Sequence, residues 1–451
     1  MDQRINDAGI KLDATLVDAA VALDKKHRQT TLARAQEITG LDNPNSPIQL
    51  KDWLANNGCP LDSLTKAEVA TALEDARGVV KEILQLRGDL AKSSVKKYQA
   101  MQNVSGADGR ARGLLQFYGA GRTGRFAGRL VQVQNLPRNY LPDLDEARTL
   151  VRTGNLEALE LLYDSVPDTL SQLIRTAFIP ASGNRFIVAD YSAIEARVIA
   201  WLAGEKTTLE AFRDGKDLYC ETASRMFKVP VEKHGVNGEL RQKGKIAVLA
   251  CGYGGSVGAL KAMGALRMGL AEEELKPIVD AWRAANPHIV WLWQEVEDAA
   301  LTAITTRQPV RLGTLTFTLE SGILFIALPS GRRLAYVKPG LGQNRFGGTS
   351  ITYWGISTGR KWGRLETYGG KLTENIVQAT ARDLLVTGMK NIAEAGHQIV
   401  MHVHDEIVID ESVDSGFTVK DACKLMSRLP GWAKGLPLSA DGYECAYYRK
   451  D

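Results

Sequence analysis

The 451 residues carry 56 Lys and Arg against 52 Asp and Glu, a net charge of +4, so any site for a polyanion must come from local clustering of cations. A chain of this length exceeds one ordinary core, and roughly two to four subdomains are expected. Five scattered cysteines without a CxxC pair argue against a disulfide framework or zinc knuckle and for a reducing compartment, and the opening MDQRINDAGI lacks an apolar signal region; with no run of about 18 apolar residues anywhere, a soluble cytoplasmic protein is expected.

Residues 1–104 read as mostly helical. In LDATLVDAAVALDKKHRQTTLARAQEIT, Leu12, Leu16, Ala19, Ala20 and Leu23 recur at helical spacing. Pro47 behind Ser46 predicts a capped short helix, and Ser63 and Glu68 flank another helix start. EDARGVVKEILQLRGDLAKSSVKKYQAM predicts one long helix whose later half carries Lys92, Lys96 and Lys97, a run that a solvated helix face explains most simply.

Residues 109–139 change character. GRARGLLQFYGAGRTGRFAGRLVQVQNLPRN holds Arg110, Arg112, Arg122, Arg125, Arg129 and Arg138 and no acid, with glycines dividing it into turns and short strands. Arginines without a counter-charge repel one another unless an anion is their partner, and a phosphate backbone fits, with Phe117 and Tyr118 interleaved. The alternative is a loop whose arginines pair with distant acids.

RFIVAD at 185–190 predicts a strand that runs into the helix YSAIEARVIAWLAGE, with Ile194, Val198, Trp201 and Leu202 on its buried side and Asp190 at the strand's carboxyl end. Residues 206–300 are helical again, 308–365 read as short strands and loops, and 371–396 form a helix. MHVHDEIVID at 401–410 is then a strand–turn–strand pattern with two carboxylates at its tip. Burying adjacent like charges costs several kcal/mol unless something compensates.

If the strands ending at Asp190 and Asp405 lie side by side, their carboxylates converge. Two Asp side chains with a phosphate-bearing substrate make an oxygen-rich site that suits Mg²⁺, and two such ions about 3.5–4 Å apart serve an in-line phosphoryl transfer. In RQKGKIAVLACGYGG, Arg241, Lys245, Leu249 and Tyr253 recur every four residues and form a drifting helical stripe roughly 18 Å long. Cations come first, then an apolar side chain and an aromatic, an order that fits a nucleoside triphosphate laid along the helix; a generic helix with one basic end is the plainer alternative. No GxxxxGK[ST] loop occurs.

Together these stretches resemble family A DNA polymerases of the DNA polymerase I type, with phage-encoded members closest in flavour. The family's Asp-Tyr-Ser-x-Ile-Glu-x-Arg is similar to Asp190–Arg197, its Arg-x₃-Lys-x₇-Tyr-Gly to Arg241, Lys245, Tyr253 and Gly254, and its His-Asp-Glu to His404, Asp405 and Glu406. A Thr-Gly-Arg to Gln-Asn-Leu-Pro stretch carries Arg125, Arg129, Gln134 and Asn135. The likeness runs from about residue 110 to the end, behind a thumb-like helical region.

The resemblance implies an α+β right-hand fold: an N-terminal palm segment at 1–14, thumb at 15–105, palm at 106–204 and 366–451, fingers at 205–365. It implies template-directed addition of dNTPs to a primer end, with primer–template DNA as partner and two Mg²⁺ ions, for which Mn²⁺ can substitute, held by Asp190, Asp405 and the Tyr191 carbonyl. Arg241 and Lys245 would grip the triphosphate, Lys245 also as a proton donor. Leu249, Tyr253 and Tyr219 would line the nucleotide site, and Glu195 would exclude a 2′-hydroxyl. Glu406 would be a secondary acid. Arg125, Arg129, Gln134, Asn135, Gln378, His404, Lys96 and Lys97 would contact DNA.

Leu249 stands where relatives carry Phe or Tyr, Tyr219 where many have His, and Glu374 where Asn is frequent. A monomer without a membrane association or a proofreading exonuclease is expected, since about 105 mostly helical residues ahead of the palm cannot hold both a thumb and an exonuclease. A single-subunit RNA polymerase, a metal-dependent nuclease and a non-enzymatic DNA-binding subunit are the competing readings. Glu195 and the Glu after His-Asp speak against the first, the triphosphate stripe against the second, and retention of both aspartates and the lysine against the third.

Overall fold

The predicted RFIVAD strand sits inside the sheet that positions the acidic residues. In the computed structural model, which describes residues 1–344, 347–357, 359 and 361–450, Asn184–Tyr191 pairs antiparallel with Glu406–Ser412 on one side and Ala440–Cys445 on the other. Ile399–Val403 completes the four strands beyond Glu406–Ser412. Phe186 to Ala189 and Ile407 to Ile409 are all buried, so this sheet centre has no polar face; that is why the sequence shows unbroken apolar runs and not alternation. Helix Gly369–Glu394 belongs to the same core through Leu372, Ile376, Leu384 and Ile392, and helix Ile194–Ala203 joins it through Ile194 and Val198. Trp201 and Leu202, expected on the buried side, are only half-buried, and the Trp201 indole donates to the Lys434 carbonyl.

The N-terminal residues are stitched to this region: Ile10–Leu12 pairs with Arg110–Ala111 and with Phe178–Ile179. Helices Ala14–Thr39, Pro47–Asn56, Lys66–Asp75 and Gly78–Ala91 follow, with a small core of their own around Leu50, Leu54, Ile83 and Leu84. Ser46 caps the second of these, with Pro47 in its first turn, as the sequence predicts. The single long helix predicted from Glu74 to Met101 is divided among three: its first two residues end helix Lys66–Asp75, and Gly78–Ala91 and Lys96–Val104 follow. The end of Gly78–Ala91 is capped from a distance: Arg28 donates to the Leu90 and Lys92 carbonyls at 3.0 and 2.8 Å, satisfying groups that a continuing helix would have used.

Residues 310–367 form more than short strands and loops. They are a six-stranded antiparallel meander, from Val310–Leu312 to Trp362–Thr367, in sequential order. Its longest strand, Arg333–Gln343, contains Pro339, Gly340 and Gly342, and the pairing register shifts between Val337 and Gly340 with Lys338 at φ 45°. A bulge of that kind interrupts the period-two pattern and hides the strand in the sequence.

Helix Leu240–Cys251 packs on helix Leu218–Phe227 at Gly244, where a Cβ would stand 2.3 Å from the Tyr219 carbonyl oxygen and 3.0 Å from the Ala223 side chain. Alanine normally favours a helix interior by about 1 kcal/mol over glycine. Here the clash dominates: Gly244→Ala is expected to destabilise by about 1–3 kcal/mol, measured by urea unfolding. A variant as stable as the wild type would show that the helices are not locked at this distance.

Candidate active site

The strand pairing sets three carboxylates at one edge. Asp190 lies directly opposite Glu406 in register, and Asp405 sits beside them in the two-residue turn that joins Ile399–Val403 to Glu406–Ser412. His404, the other turn residue, takes φ 54°, a left-handed conformation that histidine tolerates better than most side chains. The Tyr191 amide donates to the Asp405 carbonyl at 3.3 Å, tying the two strand ends together. The Tyr191 hydroxyl points into the core, donating to the Met426 carbonyl at 2.7 Å.

Gln134 braces the turn from behind. Its amide nitrogen donates to the His402 carbonyl at 3.0 Å, and its amide oxygen accepts the His404 N–H at 2.7 Å. Both ends of the side chain expected to contact DNA thus hold the hairpin in shape. The neighbouring His402 ring is fully buried, edge-on to Phe126, and neither ring nitrogen has a hydrogen-bond partner. Burial, with Arg382 nearby, pushes its pKa down to about 3. The unfolded chain takes a proton near pH 6.5 that the folded ring refuses, so stability should fall as pH drops from about 6.5 toward 3. His402→Phe is expected to flatten that limb by up to about 1.4 kcal/mol per pH unit, read from urea unfolding at pH 7 and pH 5. An undiminished slope in the variant would place the proton uptake elsewhere.

Electrostatics separate the three acids. Burial pushes the Asp405 carboxyl up to about 7; Arg125 and Lys450 oppose that rise while Asp190 and Glu195 add to it. Among the described residues the Asp405 carboxylate has no hydrogen-bond or ion-pair partner. Glu406 is 1% exposed and also raised by burial, but it accepts from the Tyr448 hydroxyl at 2.6 Å and from Lys450 Nζ at 2.9 Å. Lys450 Nζ reaches Asp190 as well, at 2.8 Å. Arg175 completes the chain, donating to the Tyr448 hydroxyl at 2.7 Å and to the Leu136 and Pro137 carbonyls. A partly buried carboxylate without an internal partner, next to a second one at the strand edge, is the donor set that a hard divalent cation uses. No cluster of three or more His, Cys, Asp or Glu closes around a point among the described residues, so such an ion would draw its remaining ligands from backbone, water or substrate.

Helix Leu240–Cys251 shares a cavity lining with Asp405 through Val248 and Leu249 at its carboxyl end. Arg241, Lys245 and Leu249 lie on it as the spacing predicts, whereas Tyr253 falls beyond its end in a turn. Arg241 is ion-paired to Asp217 at 2.8 Å and lies over the Tyr219 ring at 5.2 Å; Asp217 also caps helix Leu218–Phe227. Leu249 is 50% exposed at the mouth of a cavity of about 340 Å³ that Glu195, Tyr219, Tyr253 and Asp405 also line. Glu195 joins the two halves, accepting from Arg125 at 2.5 Å and from the Tyr253 hydroxyl at 2.7 Å. Gly370 lets helix Gly369–Glu394 approach this point: a Cβ there would stand 2.3 Å from the Tyr253 carbonyl oxygen.

The remaining predicted residues divide. Lys96, Arg129 and Asn135 are exposed. Lys97 is not part of a free basic face: its ammonium donates to the Val131 carbonyl at 2.5 Å, and Lys92 pairs with Asp168. The arginine-rich stretch is likewise partly neutralised from within, Arg110 by Asp410, Arg112 by Asp108 and Arg125 by Glu195. Gln378 donates to Glu374 at 3.3 Å, and Glu374 is paired to Lys371 at 2.7 Å, which accounts for an acid at that position. Lys450, Tyr448, Arg175 and Asp217 did not stand out in the sequence.

Comparison with known proteins bears on the family and the fold. Residues 16–309 match the model of DNA polymerase family A. The chain is similar along its whole length to the DNA polymerase of Bacillus phage SP02, 55% identical over 455 residues and covering 70% of that protein. It is 26% identical over 353 residues to the thermostable DNA polymerase I of Thermus aquaticus, of which it spans only 33%. The POL domain of Pol1 from M. smegmatis, solved in complex with DNA primer–template and dNTP, superposes with a TM-score of 0.66 at 20% identity, over 98% of this chain and 68% of that one, and shares its fold. With that family match and that full-length relative, the chain belongs to DNA polymerase family A, whose members are template-directed nucleotidyltransferases.

Proposed function

We propose that the chain extends a DNA primer along a template, adding dNTPs and releasing pyrophosphate. The observation that carries this reading is the meeting of Asp190 and Asp405 at one sheet edge, beside a cavity walled by Glu195, Tyr253 and Leu249. In hand-like terms residues 15–105 are the thumb, 106–204 and 366–451 with 1–14 the palm, and 205–365 the fingers.

Asp190 and Asp405, with the Tyr191 carbonyl, are the residues that would hold Mg²⁺ or Mn²⁺. Two such ions, when bound, supply activation of the primer 3′-hydroxyl and charge stabilisation on the leaving phosphates. The chain's own groups do the rest. Arg241 and Lys245 grip the triphosphate, Arg241 exchanging part of its pairing with Asp217 for phosphate oxygens, and Lys245 offers a proton to the departing pyrophosphate. Tyr253 and Leu249 hold the base and sugar, and Glu195 stands where a 2′-hydroxyl would project. Arg129, Asn135, Gln378, His404 and Lys96 supply contacts to primer–template DNA, and the enzyme acts as a monomer. No helix among the described residues is long and apolar enough to cross a membrane.

A labelled primer on a longer template with Mg²⁺ tests the proposal, with four dNTPs, four rNTPs or no nucleotide in parallel. Extension by dNTPs alone is expected, with no shortening of the primer when nucleotides are omitted. Lys245→Ala should lower single-turnover incorporation by about 10²–10³-fold, the loss typical of removing one preorganised charge stabiliser. Ladder-like shortening would point to hydrolysis, and extension with rNTPs would remove Glu195 from its role.

A further inference from the structure

The proposed chemistry gives no role to the cation already at the carboxylate edge. Lys450 follows the strand Ala440–Cys445, and the segment that carries it is anchored residue by residue. The Tyr448 amide donates to the Phe178 carbonyl at 2.9 Å, and its hydroxyl donates to Glu406 while accepting from the buried Arg175. The Lys450 amide donates to the Asn139 side-chain oxygen at 3.2 Å. These anchors return the ammonium to Asp190 and Glu406, at 2.8 and 2.9 Å, with the lysine side chain 30% exposed. Asp190 and Glu406 face each other across adjacent strands, the arrangement in which two like charges repel most directly.

We infer that Lys450 is a built-in counter-cation: it holds Asp190 and Glu406 together while no divalent ion is bound, and it competes with that ion for Asp190. The inference rests on the reading of Asp190 and Asp405 as the metal-holding pair. Asp405, which Lys450 does not contact, is left open to a first ion. When an ion takes Asp190 as well, the ammonium keeps Glu406, its second and nearly enclosed partner, and need not leave the site. Lys450 is thus a positioning residue. It sets how tightly metal binds before DNA and nucleotide arrive, so that the ions are assembled with the substrate and not ahead of it.

The test uses the full chain without DNA or nucleotide. Mn²⁺ binding is followed by the electron-paramagnetic signal of the free ion, and melting is followed in EDTA and in Mn²⁺, for wild type, Lys450→Met, Lys450→Arg and Asp405→Asn. Lys450→Met is expected to bind Mn²⁺ roughly three- to fivefold more tightly, the scale of one partly exposed ion pair. Its Tm in EDTA should fall by roughly 2 °C and be recovered by Mn²⁺ more fully than wild type responds. Lys450→Arg should behave as wild type. Asp405-dependent binding that is equal or weaker in Lys450→Met than in wild type overturns the lysine's role and leaves the metal site standing. Absence of Asp405-dependent binding in every variant overturns the metal-site reading, and the lysine's role with it.

Discussion

Asp405→Asn is expected to abolish nucleotide addition, by at least about 10³-fold in single-turnover primer extension, while leaving the protein as stable or more so. The two halves of that result share one cause. Asp405 is a partly buried carboxylate without a partner among the described residues, raised by burial to about 7. Its unfolded value is near 4, so stability declines as pH rises from about 4 through 7, where the unfolded chain ionises freely and the folded one resists. An amide of the same shape escapes that penalty and cannot ligate a cation as a carboxylate does. In metal-free buffer the Tm advantage of Asp405→Asn should therefore grow between pH 5 and pH 8, reaching at least about 1–2 °C. Divalent ion should raise the wild-type Tm and not that of the variant. Extension within tenfold of wild type would remove Asp405 from the chemistry, and a lower Tm at pH 8 would show that its burial is compensated.

Glu195→Ala should change selectivity more than rate. The carboxylate accepts from Arg125 and from the Tyr253 hydroxyl and fills part of the cavity beside Asp405. Truncation opens space for a 2′-hydroxyl, and discrimination against rNTPs should fall on the order of 10²-fold. The same truncation frees Tyr253 and Arg125, so incorporation of dNTPs should drop by about tenfold, the loss of one hydrogen bond to a charged group. Glu195→Gln keeps the volume and one accepting oxygen, which can face Arg125 while the new NH₂ donates to the Tyr253 hydroxyl, and should retain most of the selectivity. Competition between dCTP and CTP opposite template G, followed on a gel, separates these outcomes. Undiminished discrimination in Glu195→Ala would mean that some other side chain sets the sugar preference.

Much of this site is legible in the chain because its chemistry is local. The acids sit at the ends of apolar runs, RFIVAD and MHVHDEIVID, and a buried strand must end where a charge can be tolerated. The four-residue steps from Arg241 to Leu249 are a property of one helix, so the sequence alone determines that they share a face. What it could not show is who answers each charge. Gln134, Lys97 and Arg110 look like free polar groups until the fold supplies the His402 carbonyl, the Val131 carbonyl and Asp410. Lys450 is 260 positions from Asp190 and 44 from Glu406, and only antiparallel pairing through Asn184–Tyr191 brings the three together. The meander at 310–367 was obscured for a related reason: a proline and a bulge break the periodicity within its longest strand, and the neighbours that restore the sheet lie outside the local window. Sequence by itself thus determined where the acidic, basic and aromatic side chains stand along the chain and which face of an element they occupy. Tertiary structure decided which of those charges remain open to a ligand, because the cost of a buried charge depends on partners that the chain delivers from a distance.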